Sequence, residues 1–177
     1  FLNEEVNGNL VQTNRNLDFV RSNHYVLGYD VKLGNEWRGK IEVYNQDIDN
    51  AAVESFPSSY SSLTEGADFG FSNDRVSLVN EGTGFNRGVE FTLEKFFSQN
   101  YYALFTGSFY ESRYEGSDGI ERDTPFNNGY VLNALAGKEF LLGTSKSKIL
   151  FVDSRLSFAG GRFFTPVDLE ASRAAGF

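Results

Sequence analysis

The chain of 177 residues has no cysteine, only three prolines and a single histidine, His24. Without cysteine there is no disulfide, no cysteine-ligated zinc and no thiol nucleophile. The lack fits a cell-envelope location, although many soluble proteins share it. A serine–histidine–aspartate relay would have to run through His24, and its neighbours Asp18 and Asp30 form no recognisable motif with it. Basic charge is also short: 24 acidic against 16 basic residues leave a net charge of −8. The surface that grips a phosphate backbone is therefore missing, which argues against nucleic acid as a partner. No run of about 18 apolar residues occurs, so no membrane-spanning helix is expected. A mean hydropathy of −0.36 leaves a membrane barrel open, because barrel strands alternate lipid-facing and lumen-facing residues and their average stays low.

What is plentiful points to strands. Eighteen phenylalanines, nine tyrosines and 18 glycines suit many strands joined by tight turns. Residues 23–47 read as one hairpin. Tyr25, Leu27, Tyr29, Val31 and Leu33 share one parity, against His24, Gly28, Asp30 and Lys32, with Val26 among them. Gly34 and Asn35 turn the chain, and Trp37, Gly39, Ile41 and Val43 return opposite Arg38, Lys40, Glu42, Tyr44 and Gln46. Residues 84–114 form a second hairpin, with Val89, Phe91 and Leu93 going out and Ala103, Phe105, Gly107 and Phe109 coming back; Leu104 falls on the polar side. Residues 129–160 form a third, from Tyr130, Leu132, Ala134, Ala136 and Phe140 to Leu150, Val152, Leu156 and Phe158, with Ser154 interrupting the apolar row. The expectation is an all-β chain, an antiparallel meander of about six strands.

The connections differ from the turns. Residues 48–83, 115–128 and 161–177 are polar and long, and residues 1–22 read as the end of another loop. Tight turns on one side and long loops on the other are the asymmetry of outer-membrane barrels, with turns in the periplasm and loops outside. On that basis the first strand would run inward and the second outward. Trp37, Phe96, Phe97, Tyr101, Tyr102 and Phe140 gather near the turns, where an interfacial girdle would lie. Alternation by itself fits equally a soluble β-sandwich or jelly-roll binding module, for instance for carbohydrate, since both bury one strand face. Strand length and loop asymmetry favour the barrel.

Longer strings carry a resemblance. Asn80 to Lys95, NEGTGFNRGVEFTLEK, is similar to the glycine-rich opening of a barrel strand that recurs in TonB-dependent receptors, with Gly82, Gly84 and Gly88 ahead of Val89 and Glu90. NLDFVRSNHYVLGYD, VESFPSSYSSLTEGADFGF and AGGRFFTPVDLEASRAAG resemble the Bacteroidota-type branch of that family, so that the likeness covers the chain from about Asn16 onward. It implies a bacterial outer-membrane barrel of about 22 strands, of which this chain would be an internal piece and, alone, an open curved sheet. It implies outer-membrane lipid, the rest of the barrel and its plug, and TonB through that plug as partners, with no cofactor and no catalysis. The plug, the TonB-contacting segment and the closing strands of the family have no counterpart in these residues, and the stretch before Phe177 lacks the alternation of a closing strand.

A receptor of this kind would import a scarce small molecule, glycan or peptide. The loop aromatics Phe56, Tyr60, Phe69, Phe71, Phe163 and Phe164 are the candidate ligand contacts, because stacking and apolar contact suit all three classes. Asp47 with Asp49, and Asp118 with Glu121 and Asp123, match no calcium-loop spacing and read as solvated charge. Glu90 and Glu94 share a strand face without implying glycoside chemistry; Arg38, Lys40, Arg155 and Lys32 stand ready to balance them.

Overall fold

The computed structural model describes residues 3–6, 9–66 and 77–162. Two antiparallel sheets account for them. A small one pairs β1 (Asn3–Val6) with β2 (Asn9–Gln12). The large one contains β3 (Arg21–Leu33), β4 (Trp37–Glu54), β5 (Leu78–Ser98), β6 (Tyr101–Glu115), β8 (Tyr130–Leu142) and β9 (Lys148–Ala159), side by side in chain order, while β7 (Glu121–Asp123) adds to one end of β6. The chain is thus an open antiparallel meander of six long strands, as the alternation predicts.

The turns explain the meander. Gly34 opens the β3–β4 turn at φ 74°, and Gly143 the β8–β9 turn at φ 84°. Gln99 and Asn100 join β5 to β6 with φ of 51° and 63°; two consecutive positive φ values give the turn whose twist matches flanking strands. These three tight turns lie at one end of the sheet. The longer connections, residues 55–77 and 116–129, lie at the other.

Register aligns the faces across all six strands. One row runs Leu27, Val43, Val89, Phe109, Tyr130, and another runs Tyr29, Ile41, Phe91, Gly107, Leu132, Phe158. Apolar parity therefore stays on one face from edge to edge. On the last strand it is broken by Ser154, opposite Ala136, and by Lys148 at the turn end, opposite Leu142. On the other face the row Asp30, Lys40, Thr92, Thr106, Asn133, Ser157 is polar throughout. Leu104, out of pattern in the sequence, faces Leu135 there and so has an apolar neighbour.

No second sheet covers the apolar face among the described residues. Leu27 is 79% exposed, Leu156 57% and Phe158 61%; among the described residues the buried apolar side chains are only Ala51 and Val53. Those two pack where β4 meets Gly82 of β5, so closely that a Cβ on Gly82 would lie 2.5 Å from Val53 Cγ1. The small core thus sits at the long-loop end of the sheet.

Several boundaries differ from expectation. Residues 1–22 hold the β1–β2 pair and the first two residues of β3. Four-residue polar strands carry too little periodicity to be seen in sequence. Of residues 48–83, both ends belong to strands, because β4 continues to Glu54 and β5 begins at Leu78. Register shifts between Ile48 and Ala51 and between Ala51 and Val53, with Asn50 at φ 61°, break the alternation that would have extended the strand. Residues 115–128 contain β7, three residues of alternating charge that pair with Arg113–Glu115.

Candidate functional site

The long-loop end is built by side chains that hold one connection against another. Ser58 N donates to Ser117 Oγ at 3.0 Å, Ser117 Oγ donates to Phe56 O at 2.6 Å, and Asp118 N donates to Ser58 O at 3.3 Å. A Cβ on Gly116 would lie 2.5 Å from Ser58 O, so the close approach of the two backbones depends on glycine there. Ser61, fully buried, caps a single 3-10 turn at Ser62–Thr64, and Ser62 Oγ accepts from Ala52 N at 3.0 Å. This ties the loop back to β4. Phe56 is left 55% exposed, while Tyr60 in the same loop is half-buried, its N–H donating to Ser58 Oγ at 3.2 Å.

Of the six aromatics expected to contact ligand, Phe56 and Tyr60 thus share one loop, braced by residues 116–118. Phe69, Phe71, Phe163 and Phe164 lie outside the described residues. Two further exposed apolar side chains at this end escaped the sequence reading. Ile120 and Phe126 are 55% and 44% exposed in the β6–β8 connection. Their signal was the same as that of Phe56, an aromatic or aliphatic in a polar loop.

That connection is itself ordered by polar contacts. Tyr110 Oη donates to Phe126 O at 3.2 Å, Asn127 Nδ2 donates to Asp123 Oδ1 at 2.7 Å, and Thr124 Oγ1 donates to Ser112 Oγ at 2.8 Å. Arg122 makes a two-pronged pair with Asp118, with Nη1 at 2.9 Å and Nη2 at 2.6 Å. Hydrogen bonding from Arg122, ahead of the opposing effect of desolvation, holds the Asp118 carboxyl below the ordinary aspartate range. Arg113 engages Glu121 at 2.7 Å and approaches Asp123 at 3.5 Å. The acids at 118, 121 and 123 are therefore matched by arginines, and Asp47 accepts from Asn45 Nδ2 at 3.0 Å.

Along the sheet, the polar face carries a network of its own. Arg38 grips Asp30 through two nitrogens and reaches Glu94 at 3.6 Å; Lys40 pairs with Glu42; Ser108 Oγ donates to Glu90 at 3.3 Å. Ser157 Oγ donates to Asn133 Oδ1 at 2.8 Å, and Asn133 Nδ2 to Thr106 Oγ1 at 3.4 Å. Between Lys40, Glu42, Glu90, Thr106, Ser108 and Asn133 lies a shallow cleft of about 300 Å³. Arg38 thus balances Glu94 as the sequence suggests, whereas Glu90 finds a hydroxyl. His24 belongs to this face too, exposed, with its ring edge-on to Tyr44 at 6.0 Å between centroids.

Comparison with known families, curated proteins and solved structures finds no match to this chain.

Proposed function

We propose that this chain forms part of the wall of a bacterial outer-membrane β-barrel, in a receptor of the TonB-dependent kind that its sequence resembles. The single observation carrying this is the continuous apolar face. More than a dozen large apolar side chains on it are exposed, in register from β3 to β9. Covering one such side chain is worth about 1.5–3 kcal/mol, so a bare face of this size forgoes tens of kcal/mol in water. In β3 the apolar parity extends over nine residues, Tyr25 to Leu33, about 30 Å of strand. That matches the height of a barrel's apolar band, given strand tilt.

Two further features support the reading. The polar face, with its ion pairs and hydroxyl ladder, suits a lumen. The tight turns at one end and longer connections at the other suit periplasm and exterior respectively, and the turn end carries Trp37 with the exposed Phe97 and Phe140. In this arrangement the wall meets outer-membrane lipid on one side and the receptor's plug on the other, and TonB acts through that plug. Phe56 and Tyr60 then stand in an outer loop where a small molecule, glycan or peptide would first be met.

The test is to produce the chain with and without detergent. Strand-rich, dispersed amide spectra are expected only when micelles are present. A cooperatively folded soluble monomer in plain buffer would overturn the proposal.

A further inference from the structure

The apolar parity carries charge at both ends of the sheet, and the two ends treat it differently. At the long-loop end Arg87 and Arg113 are both paired with Glu111, at 2.6 and 2.7 Å, and Arg113 also approaches Asp123. At the turn end Lys95 is taken up by the β5–β6 turn, its ammonium bonded to Ser98 O and Tyr101 O and 3.5 Å from Glu36. The β8–β9 hairpin is unlike both. Lys138 and Lys148 stand on the apolar parity of their strands, opposite Val152 and Leu142, and Lys146 lies in the turn between the strands. All three are exposed, and none has an ion-pair partner among the described residues. The ammonium of Lys138 lies 5.3 Å from the centre of the Phe140 ring, and Phe140 is two residues nearer the turn. The side chain therefore leans out of the apolar rows toward the end of the sheet, as a lysine does when its stem lies in lipid and its head at the interface. Phe140, Leu142 and Leu150 beside these lysines are exposed, and the turn adds the hydroxyls of Ser145 and Ser147, bonded to each other at 2.9 Å.

We infer that the turn end of the β8–β9 hairpin binds the phosphate of an anionic phospholipid headgroup, with Lys138 and Lys148 reaching it from the lipid-facing side and Lys146 from the turn. Charge decides it. Three positive charges without carboxylate partners, set beside exposed apolar side chains, complement a headgroup that carries negative charge next to its acyl chains. Lysines held close to an anionic membrane surface are attracted to it. At the opposite end of the same face the arginines are already matched by carboxylates, so that end offers no such excess. The inference rests on the membrane reading of the apolar face, and it adds which lipid that face selects at one end.

The chain has a single tryptophan, so Phe140→Trp in a Trp37→Phe background puts the only indole beside Lys138. The chain is reconstituted in phosphatidylcholine vesicles that contain either brominated phosphatidylglycerol or brominated phosphatidylcholine, with strand content checked by circular dichroism. Quenching is expected to show the anionic lipid preferred roughly fivefold or more. Lys138→Gln with Lys148→Gln is expected to bring the preference down to about twofold or less, and Lys146→Gln, in the exposed turn, to lower it by roughly twofold to fivefold. Lys32→Gln, on the polar face, should leave it unchanged. Equal quenching by the two lipids, a preference that survives loss of the three lysines, or one lowered as much by Lys32→Gln would overturn the inference and leave the membrane reading in place. Quenching by neither lipid would overturn both. Loss of the preference on adding inorganic phosphate, at an ionic strength where sodium chloride has no effect, would assign the lysines to a free anion and equally overturn the inference.

Discussion

A side chain at Gly137 would run into the ring of Tyr102 and the carboxylate of Asp153, its direct neighbours on either side. Tyr102 Oη donates to Asp153 Oδ1 at 2.6 Å across this gap, so that β6, β8 and β9 are joined over the missing Cβ. Gly107 is covered in the same way by the ring of Phe91, while Gly88 is approached by the Tyr44 hydroxyl and Tyr110 Cβ. Rings laid over strand glycines replace the packing that the glycine itself lacks. Gly137→Val is therefore expected to lower stability by about 1–3 kcal/mol, read from the denaturant midpoint in detergent. Tyr102→Phe, which keeps the ring and loses only the hydroxyl, should cost about 1 kcal/mol. Equal effects of the two changes would show that the ring over the glycine is immaterial. The sequence places Gly107 on the apolar parity, but it cannot say which ring lies over it, because the hairpin's register shifts between Lys95 and Ser98 and the turn alone does not fix the pairing. Lys95 shows the same limit. In sequence it is one more charge at a strand end; in the structure it is 1% exposed, its ammonium bonded to Ser98 and facing the Tyr101 ring at 3.8 Å. Its parity puts it with Val89, Phe91 and Leu93, in register with Trp37 and Ala103, and the carbonyls and hydroxyl of the adjoining turn take up its ammonium, which nothing local in the sequence announces.

Elements with a clean period of two were legible from sequence. The three hairpins fall where alternation and turn residues place them, since each strand has one face to keep apolar and each tight turn needs its glycine or asparagine. What escaped were elements whose pattern is short or broken: β1, β2 and β7, and the ends of β4 and β5 beyond the shifts near Ala51. The β6–β8 connection is the clearest case, because it is held by polar pairs instead of apolar burial. Asp118 is ionised more readily in this folded loop than in an unfolded chain. A depressed carboxyl contributes stability that is complete above the unfolded value of about 4 and is lost as pH falls through the lower folded value. The amide signals of Asp118 to Arg122 are thus expected to stay constant from neutral pH down to about 4 and to move below it. Asp118→Asn should abolish that movement. If the unsubstituted loop shifts instead between pH 5 and 7, some other group governs it.

At the scale of the whole molecule, one sheet has two unlike faces. Its division was visible in the sequence as parity, and the structure adds that all six strands keep their apolar parity on the same side. The candidate ligand site was less visible. Phe56 and Tyr60 could be proposed as aromatics in a loop, yet the backbone contacts between Ser58 and residues 117–118 that brace them join positions some sixty apart. The exposed apolar face is central to the account, and a membrane is what it is taken to meet. The most direct measurement places single spin labels at successive positions of β8, 130 to 140, in the chain reconstituted in lipid, and compares collisions with oxygen and with a water-soluble nickel complex. Even positions, which include Tyr130, Leu132, Ala134 and Phe140, should favour oxygen, and odd positions the nickel complex, with a period of two. Uniform access to the nickel complex along the strand, or alternation of the opposite phase, would contradict the account.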